Sequence, residues 1–223
     1  MIDWFFRNIE ERWDIATFLN RHLTRNFVVN TRVFSGVIGK QGEMYSIHPN
    51  VCTVGEVYTQ YRFDDIREGD LVLDIGANVG AFSLLASRMA KQVDAYEPVM
   101  TKELVRNVLL NRIDNIRVYN DALGTGETST VQWEGVEHTV PTKTLTQMKS
   151  HLGGCDFLKC DCEGAEWGIR PGELSDIRRI EIEFHTNRGY NADLIAGITD
   201  IFDCEWHVDG DTRWVHGVNK NVK

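Results

Sequence analysis

The chain has 223 residues, 42% of them hydrophobic, and a formal net charge of −9 at pH 7, so it is long enough for one large α/β domain with its own core. The acidic charge argues against a protein that holds nucleic acid by broad phosphate neutralisation. No stretch approaches the roughly 20 apolar residues of a membrane helix, and acids stand near the N-terminus where a signal peptide would be basic, so we expect a cytoplasmic protein without a membrane span.

Residues 2 to 23 place apolar side chains at helical spacing, which predicts an amphipathic helix. This helix packs on the edge of the domain, or it presents Trp4 and Trp13 to a second copy of the chain or to a membrane surface. From residue 27 to residue 62, short β-like runs broken by glycines predict a small β annex. We therefore divide the chain into an N-terminal helix and annex, residues 1–55, and one compact unit, residues 56–223.

In the second part, apolar β-rich runs alternate with helical spacing, which predicts a doubly wound, mostly parallel sheet. The dipeptide Asp209-Gly210 favours a tight turn and indicates a closing antiparallel hairpin. Residues 128–151 are interpreted as an insertion of short strands and a short helix that shapes a substrate pocket. The predicted strands are 71–75, 93–96, 116–119, 156–161, 179–184, 201–208 and 212–217, and the predicted helices are 80–90, 100–112 and 164–170.

The most informative motif ends the first of these strands. After an apolar run from residue 71, the sequence continues as D-x-G-x-x-x-G with Asp74, Gly76 and Gly80. The glycines allow a sharp turn and a close approach of a ligand to the backbone, and the next helix presents its N-terminal amides to that ligand. Because the spacing departs from the G-x-G-x-x-G fingerprint of dinucleotide sites, the turn suits a cofactor without a diphosphate.

Acids also end the second and third strands, at the edge where ligands bind in open α/β sheets. Glu97 occupies the position at which an acid holds ribose hydroxyls in Rossmann-type sites. Asp121 is predicted to accept a hydrogen bond from an adenine amino group, and Ala122 to offer its backbone amide to the ring. The alternative for Asp121 is a turn residue whose side chain caps the backbone.

The fourth and fifth strands end in charged residues. Lys159, Asp161 and Glu163 alternate with period two, so they face the same side if the strand extends that far. They form either an internal ion pair beside a helix start or a site that orients a substrate hydroxyl. On the fifth strand Glu183 and His185 lie nearest the carboxyl end, and His185 is either a proton-transfer residue or a structural histidine.

The five cysteines, which include Cys160 and Cys162, form no C-x-x-C pair. We interpret them as free thiols in a reducing compartment. A Cys-x-Cys zinc site needs further ligands that the sequence does not offer, so no metal ligands are predicted.

Several motifs together resemble, in chain order, the FkbM family of S-adenosylmethionine-dependent methyltransferases. The most specific is the segment Lys159-Cys-Asp-Cys-Glu-Gly-Ala-Glu166, because the first motif occurs in class I methyltransferases generally. The resemblance covers about residues 55 to 207. The others are Asp74-Ile-Gly-Ala-Asn-Val-Gly80, Tyr96-Glu-Pro98, Asp121-Ala-Leu-Gly124, Val140-Pro-Thr-Lys-Thr-Leu145 and Ile182-Glu-Phe-His185.

The resemblance implies a Rossmann-like seven-stranded sheet, S-adenosylmethionine as cofactor, and O-methylation of a hydroxyl on a sugar, glycan or small natural product. Asp161 or His185 is predicted to take the hydroxyl proton, while Lys159 and Glu163 orient either these two residues or the acceptor. The residues predicted to hold the cofactor are Asp74, Gly76, Ala77, Asn78, Gly80, Glu97, Pro98, Asp121 and Ala122.

Three alternatives remain at this point. An RNA methyltransferase of the tRNA-modifying type is one, because residues 107–111 read Asn-Val-Leu-Leu-Asn, although no Asn-Pro-Pro-Tyr motif is present. A catalytically silent module that docks through its N-terminal helix is another. A nicotinamide dehydrogenase is disfavoured by the glycine spacing.

Overall fold

The computed structural model describes residues 27–30, 35–46, 52–133 and 135–222. The predicted amphipathic helix and its role as a docking face lie outside the described residues. The α-helices are α1 (Cys52–Gln60), α2 (Ala81–Ala86), α3 (Thr101–Leu110), α4 (Leu145–Leu152) and α5 (Ala192–Ile201). The strands are β1 (Phe27–Asn30), β2 (Ser35–Ile38), β3 (Met44–Ser46), β4 (Leu71–Ile75), β5 (Gln92–Tyr96), β6 (Ile116–Tyr119), β7 (Ala122–Leu123), β8 (Thr128–Trp133), β9 (Val136–Lys143), β10 (Phe157–Cys160), β11 (Arg179–His185), β12 (Phe202–Asp209) and β13 (Thr212–Asn219).

A seven-stranded sheet forms the centre, in the order β12-β13-β11-β10-β4-β5-β6. The five strands from β11 to β6 are parallel, whereas β13 runs antiparallel to both β11 and β12. The hairpin turn consists of Gly210 and Asp211, and Gly210 has a φ of +54°. The predicted Rossmann-like fold with a closing antiparallel hairpin is therefore confirmed.

Alternate residues of the central strands point to opposite faces of the sheet and contribute to two separate cores, one on each face. Val72 and Val93 belong to the core beneath α1, α2 and α3, whereas Leu73 and Tyr96 belong to the core beneath α4 and α5. Both faces are thus covered by helices, which explains why β4 and β10 read as continuous apolar runs.

Two smaller sheets flank the central one. The first consists of β1, β2 and β3, and the Asn111 side chain at the end of α3 exchanges two hydrogen bonds with the backbone of Met44 in β3. The second consists of β7, β9 and β8, so the predicted insertion of short strands is confirmed. The helix that follows it, α4, has Thr144 as its N-cap, and Thr144 and Gln147 form a capping box.

Two predicted helices are shorter than the sequence indicated. The one predicted over residues 80–90 is α-helical only in α2, because Arg88 and Met89 bond three residues back and tighten the last turn. The one predicted over residues 164–170 is a single 3-10 turn at Ala165–Gly168, since Pro171 disfavours helical backbone before it. Further 3-10 turns occupy Phe63–Asp65 and Pro171–Leu174.

The proposed division of the chain between residues 55 and 56 falls within α1 and stays a prediction. Among the residues that the structure describes, no helix combines the length and the apolar character needed to cross a membrane.

Candidate functional site

The carboxyl ends of β4, β5, β6 and β10 surround an open cavity of about 330 Å³. Such a position is where ligands bind in open α/β sheets. Most of the residues predicted for the site line this cavity, and Asp74, Gly80 and His185 are the exceptions. The predicted residues that line it are Gly76, Ala77, Asn78, Glu97, Pro98, Asp121, Ala122, Lys159, Asp161 and Glu163.

Gly76 is required by a close contact with the neighbouring strand as well as by its backbone conformation. Its φ is +76°, and a Cβ built on it would lie 1.6 Å from the carbonyl oxygen of Asp161. The amide of Asp161 in turn donates to the carbonyl of Ile75 at 3.0 Å. The glycine turn after β4 therefore packs directly against Asp161, the residue that follows β10. This contact brings together the parts of the site that follow these two strands.

Glu97 organises the loops around the cavity. Its carboxylate accepts hydrogen bonds from the amides of Asn78, Val99 and Met100 at 2.8 to 2.9 Å. A carboxylate offers about four acceptor positions, so one remains for a ligand hydroxyl. The side chain that is predicted to hold the cofactor is therefore also a fixed part of the protein scaffold.

Asn78 and Asp121 offer further acceptors to the cavity. Asn78 adopts a left-handed φ of +51°, and its buried Oδ1 has no hydrogen-bond partner among the described residues. Such an acceptor is costly unless a bound group donates to it. Asp121 forms an ion pair with Lys143, with Nζ 2.8 Å from Oδ1.

Asp74, which was predicted to hold the cofactor, does not reach the cavity. It is fully buried, and its carboxylate accepts from Ser83 Oγ at 2.5 Å and lies 3.2 Å from Lys159 Nζ. Its place on the sheet, next to Lys159 across the β4 and β10 pair, explains this position. Asp74 therefore acts on the cavity only through Lys159.

Lys159 is a buried cation at the floor of the cavity. Its Nζ donates to the carbonyl of Gly76 at 2.7 Å and lies 4.0 Å from Asp161 Oδ2. Burial alone would lower the pKa of Lys159, but the charges of Asp74 and Asp161 outweigh it and hold the pKa above its ordinary value. The ammonium stays charged and serves as a fixed positive group.

Gly80 was also predicted to contact the cofactor, but it lies behind the cavity. It precedes α2 with a φ of +89°, and a Cβ built on it would lie 2.4 Å from Leu104 Cδ1 in α3. The second glycine of the motif thus permits close packing between α2 and α3.

Asp161 has a partner that the sequence did not indicate. The hydroxyl of Tyr61 donates to its Oδ2 at 3.2 Å. Burial and the charge of Asp161 raise the pKa of Tyr61 well above its ordinary value, so the phenol remains a donor. Tyr61 and Trp133 also line the cavity. Both lie outside the recognised motifs, so nothing in the sequence alone indicates that they belong to the site.

His185 lies beside the cavity and is held by Glu166. The Glu166 carboxylate contacts Nδ1 at 3.1 Å and accepts the His185 amide at 2.9 Å. Burial would lower the pKa of His185, but its bond to Glu166 and the neighbouring carboxylates raise it to about 9. The raised pKa favours the protonated imidazole at neutral pH.

The acidic residues of β11 are buried at two separate places. Glu181 lies toward the amino end, where it is 1% exposed and pairs with Arg179 and His216. Glu183 lies next to Asp161, and burial followed by the charge of Asp161 raises its pKa to about 7. Only Glu183 and His185 of this strand approach the site.

The cysteines that the structure describes with side chains, Cys155, Cys160, Cys162 and Cys204, are free thiols. Cys160 and Cys162 flank Asp161, and their sulfur atoms lie 3.5 Å apart. Cys160 is fully buried in the core beneath α4 and α5, so its side chain serves there as an apolar packing group.

The hydrogen-bond acceptors that line the cavity fit S-adenosylmethionine better than a dinucleotide. Glu97, Asp121 and the unpartnered Asn78 Oδ1 offer acceptors for hydroxyl and amino groups, and carboxylates favour a cationic ligand over a diphosphate. S-adenosylmethionine carries a sulfonium and an ammonium group, together with ribose hydroxyls and an adenine amino group.

The chain matches the model of the methyltransferase FkbM domain over residues 74–206. Among solved structures it is similar to a precorrin-6y C5,15-methyltransferase from Geobacter metallireducens GS-15, with a TM-score of 0.54, 12% identity, and coverage of 82% of this chain and 98% of that one. It is also similar to yhhF from Escherichia coli, to which methyltransferase activity is attributed, with a TM-score of 0.51, 16% identity, and coverage of 82% and 95%. At these identities the two structures support the fold alone. No protein with a curated description matches the chain.

Proposed function

Because the chain belongs to the FkbM methyltransferase family, we propose that it transfers the methyl group of S-adenosylmethionine to a hydroxyl of a sugar, glycan or small natural product. One observation carries this proposal. A single cavity is bordered on one side by Asn78, Glu97 and Asp121, and on the other by Lys159 and Asp161. Acceptors suited to the cofactor therefore face a charged group suited to binding a hydroxyl.

On the cofactor side, the spare acceptor position of Glu97 would hold the ribose hydroxyls, and Asp121 would accept from the adenine amino group. Gly76, Ala77, Pro98 and Ala122 line the same wall and allow close contact with the backbone. When bound, the cofactor supplies an electrophilic methyl group on a sulfonium centre.

On the acceptor side, Asp161 is the residue we assign to take the hydroxyl proton. It lines the cavity, whereas His185 does not. Tyr61 and Lys159 hold the Asp161 carboxylate from two directions, so its orientation is fixed before the acceptor arrives. Glu163 lies at the exposed rim and would contact the acceptor from outside.

Alignment of the two reactants would supply most of the acceleration. A cavity with rigid walls can hold a hydroxyl oxygen in line with the methyl group, and such positioning is worth up to roughly 7–11 kcal/mol. The acidic lining of the cavity, with Glu97, Asp121, Asp161 and Glu163, disfavours a polyanionic acceptor such as RNA.

The cofactor assignment is tested by calorimetry with S-adenosylhomocysteine. Asp121→Ala removes a carboxylate from the cavity, whereas Lys143→Ala removes only the ion-pair partner of that carboxylate. We expect Asp121→Ala to weaken binding about tenfold, as the loss of one hydrogen bond to a charged group predicts. The Lys143→Ala variant should bind nearly as tightly as the wild type. No binding by the wild type, or equal losses in both variants, would refute the assignment.

The acceptor is sought with methyl-labelled cofactor and fractions of a cell extract, with products identified by mass spectrometry. Glycan, small-molecule and bulk tRNA pools are compared, each with the wild type and Asp161→Asn. The proposal predicts an O-methylated product that depends on Asp161. Label in tRNA alone would favour the RNA methyltransferase, and absence of label in every pool would favour the silent module.

A further inference from the structure

A second cluster of side chains lies at the acceptor end of the cavity. Asp161, Glu183 and His185 each direct one oxygen or nitrogen atom toward a common point, and these atoms all lie within 4.8 Å of one another. Two come from β11 and one from the loop after β10, and the parallel pairing of the two strands brings them together. No metal ligands were predicted from the sequence, because Asp161 is more than twenty residues from Glu183 and His185 along the chain.

The imidazole of His185 is oriented as a metal ligand. Glu166 contacts Nδ1 at 3.1 Å, which fixes the ring and leaves Nε2 directed into the cluster. Nε2 lies 3.6 to 3.9 Å from carboxylate oxygens of Glu163, Asp161 and Glu183, beyond hydrogen-bond distance of each. Histidines that bind metals commonly have a carboxylate on the other ring nitrogen in this way.

Glu183 is a buried carboxylate whose nearest described basic group is the imidazole of His185, with Nε2 3.9 Å from its Oε1. It is 8% exposed, and no described lysine or arginine nitrogen lies within 4.0 Å of it. Lys159, the nearest buried cation of the site, is engaged by Asp74 and Gly76. Burial of carboxylates is unfavourable unless positive charge balances them. The single imidazole of His185 lies 3.1 to 3.9 Å from four carboxylates, so the cluster has an excess of negative charge.

We propose that Asp161, Glu183 and His185 bind a divalent metal ion, with Glu163 as an additional carboxylate at the exposed side. Bonds of about 2.0–2.2 Å place opposite ligand atoms about 4 Å apart, so small side-chain rotations would close the site. One nitrogen and two or three carboxylates suit Mn²⁺, Fe²⁺ or Zn²⁺ better than Ca²⁺ or Mg²⁺, which prefer oxygen ligands alone. The proton on Nε2 leaves to solvent when the ion binds.

The role of this ion rests on the proposed function, whereas its binding does not. Asp161 both lines the cavity and belongs to the cluster, so the ion would stand where an acceptor hydroxyl arrives. A hydroxyl bound to the ion would lose its proton more readily and would be held in place for attack on the methyl group. The carboxylate oxygen of Asp161 that does not bind the ion would take that proton. The acceptor would then be a molecule with a hydroxyl next to a second oxygen, which can chelate the ion.

Binding is tested with Mn²⁺ by electron paramagnetic resonance on the full chain, without cofactor. We expect saturable binding at one site, weakened at least about tenfold by Asp161→Asn, Glu183→Gln and His185→Gln. Glu166→Gln, which changes the partner of His185 Nδ1 without removing a proposed ligand, should weaken it about 10- to 100-fold. Glu205→Gln is the matched control, because Glu205 lies 3.0 Å from His207 on the exposed hairpin and forms a similar carboxylate–imidazole pair.

Two results would overturn the site: no Mn²⁺ bound by the wild type, or equal binding by the wild type and the variant with all three ligands replaced. Circular dichroism confirms that each variant is folded. S-adenosylhomocysteine binding, measured in EDTA, separates this inference from the proposed function. If Mn²⁺ binds and the cofactor analogue does not, the metal site stands and the methyl-transfer proposal fails.

Discussion

The ammonium of Lys159 lies 3.2 Å from the carboxylate of Asp74, and the two residues are direct neighbours across the parallel strands β10 and β4. Both side chains are almost fully buried, so water solvates neither charge. The pair therefore joins the strand that leads into the glycine turn to the strand that leads to Asp161.

Replacement of Lys159 by methionine should destabilise the protein strongly. The substitution leaves the Asp74 carboxylate buried without its cation, a change that typically costs about 3–5 kcal/mol. Urea unfolding at pH 7 measures the loss. Lys149→Met is the control, because its partner Asp176 is largely exposed and such pairs contribute about 1 kcal/mol or less. Similar losses in the two variants would contradict the importance of the buried pair.

Gly76→Ala and Gly69→Ala separate backbone strain from close packing. Both glycines have positive φ, but a Cβ at Gly69 meets nothing within 4 Å, whereas one at Gly76 overlaps the Asp161 carbonyl. We expect a loss of about 1–2 kcal/mol for Gly69→Ala from strain alone. Gly76→Ala should cost at least about 1–3 kcal/mol more, because β10 must shift. Equal free energies of unfolding would show that the contact with Asp161 is not restrictive.

Asn78→Gly tests whether the unpartnered Oδ1 serves a ligand. Glycine tolerates the left-handed backbone at this position, so stability should change by less than about 1 kcal/mol. Affinity for S-adenosylhomocysteine should fall about tenfold, the value of one hydrogen bond. Arg112→Gly changes an exposed residue that also has positive φ but does not line the cavity, and it should leave affinity unchanged. Unaltered affinity in Asn78→Gly would remove Asn78 from the cofactor site.

Acid should remove the stabilising effect of Glu173. Burial alone would raise its pKa, but hydrogen bonds from Arg170 and Thr146 lower it to about 2. A carboxyl with a lowered folded-state pKa stabilises fully above its unfolded pKa of about 4.3, and the effect disappears as pH falls through 2. Glu173→Gln should therefore cost roughly 1 kcal/mol at pH 7 and progressively less between pH 4 and pH 2.

Thermal unfolding across this pH range checks the last prediction. Glu68→Gln, at an exposed carboxylate with no hydrogen bond among the described residues, controls for the loss of a surface charge. If Glu173→Gln still lowers stability at pH 2 as much as at pH 7, packing and not ionisation of the carboxylate stabilises the contact between Glu173 and α4.

Local patterns were enough to predict the central fold. The apolar runs at β4 and β10 and the dipeptide before Asp211 predicted a parallel sheet with a closing hairpin, because each signal lies within a few residues. Helix ends were predicted less well. The 3-10 turn before Pro171 depends on one proline and on packing that helical spacing does not reveal.

The site could be predicted only where a motif marks a strand end. Glu97, Asp121 and Asp161 line the cavity because the ends of parallel strands share one edge. The orientation of a side chain depends on its neighbours in space, so Asp74 is directed to Lys159 instead of the cavity. Gly80 is likewise explained by a neighbour, because Leu104 leaves no room for a Cβ there. Tyr61 comes from a separate segment, and only tertiary packing brings it to Asp161.

The position of β13 between β11 and β12 determines the order in which the site is completed during synthesis. β11 carries Glu183 and His185, and along its full length it pairs with a strand that lies more than twenty residues later in the chain. The ribosome thus releases the cofactor half of the cavity, from β4 to β6, well before the partner of β11 exists. Until β13 emerges, β11 has an open edge that invites pairing with other chains. A nascent chain stalled before Thr212 would therefore present a nearly complete cofactor wall beside an aggregation-prone, unfinished acceptor end.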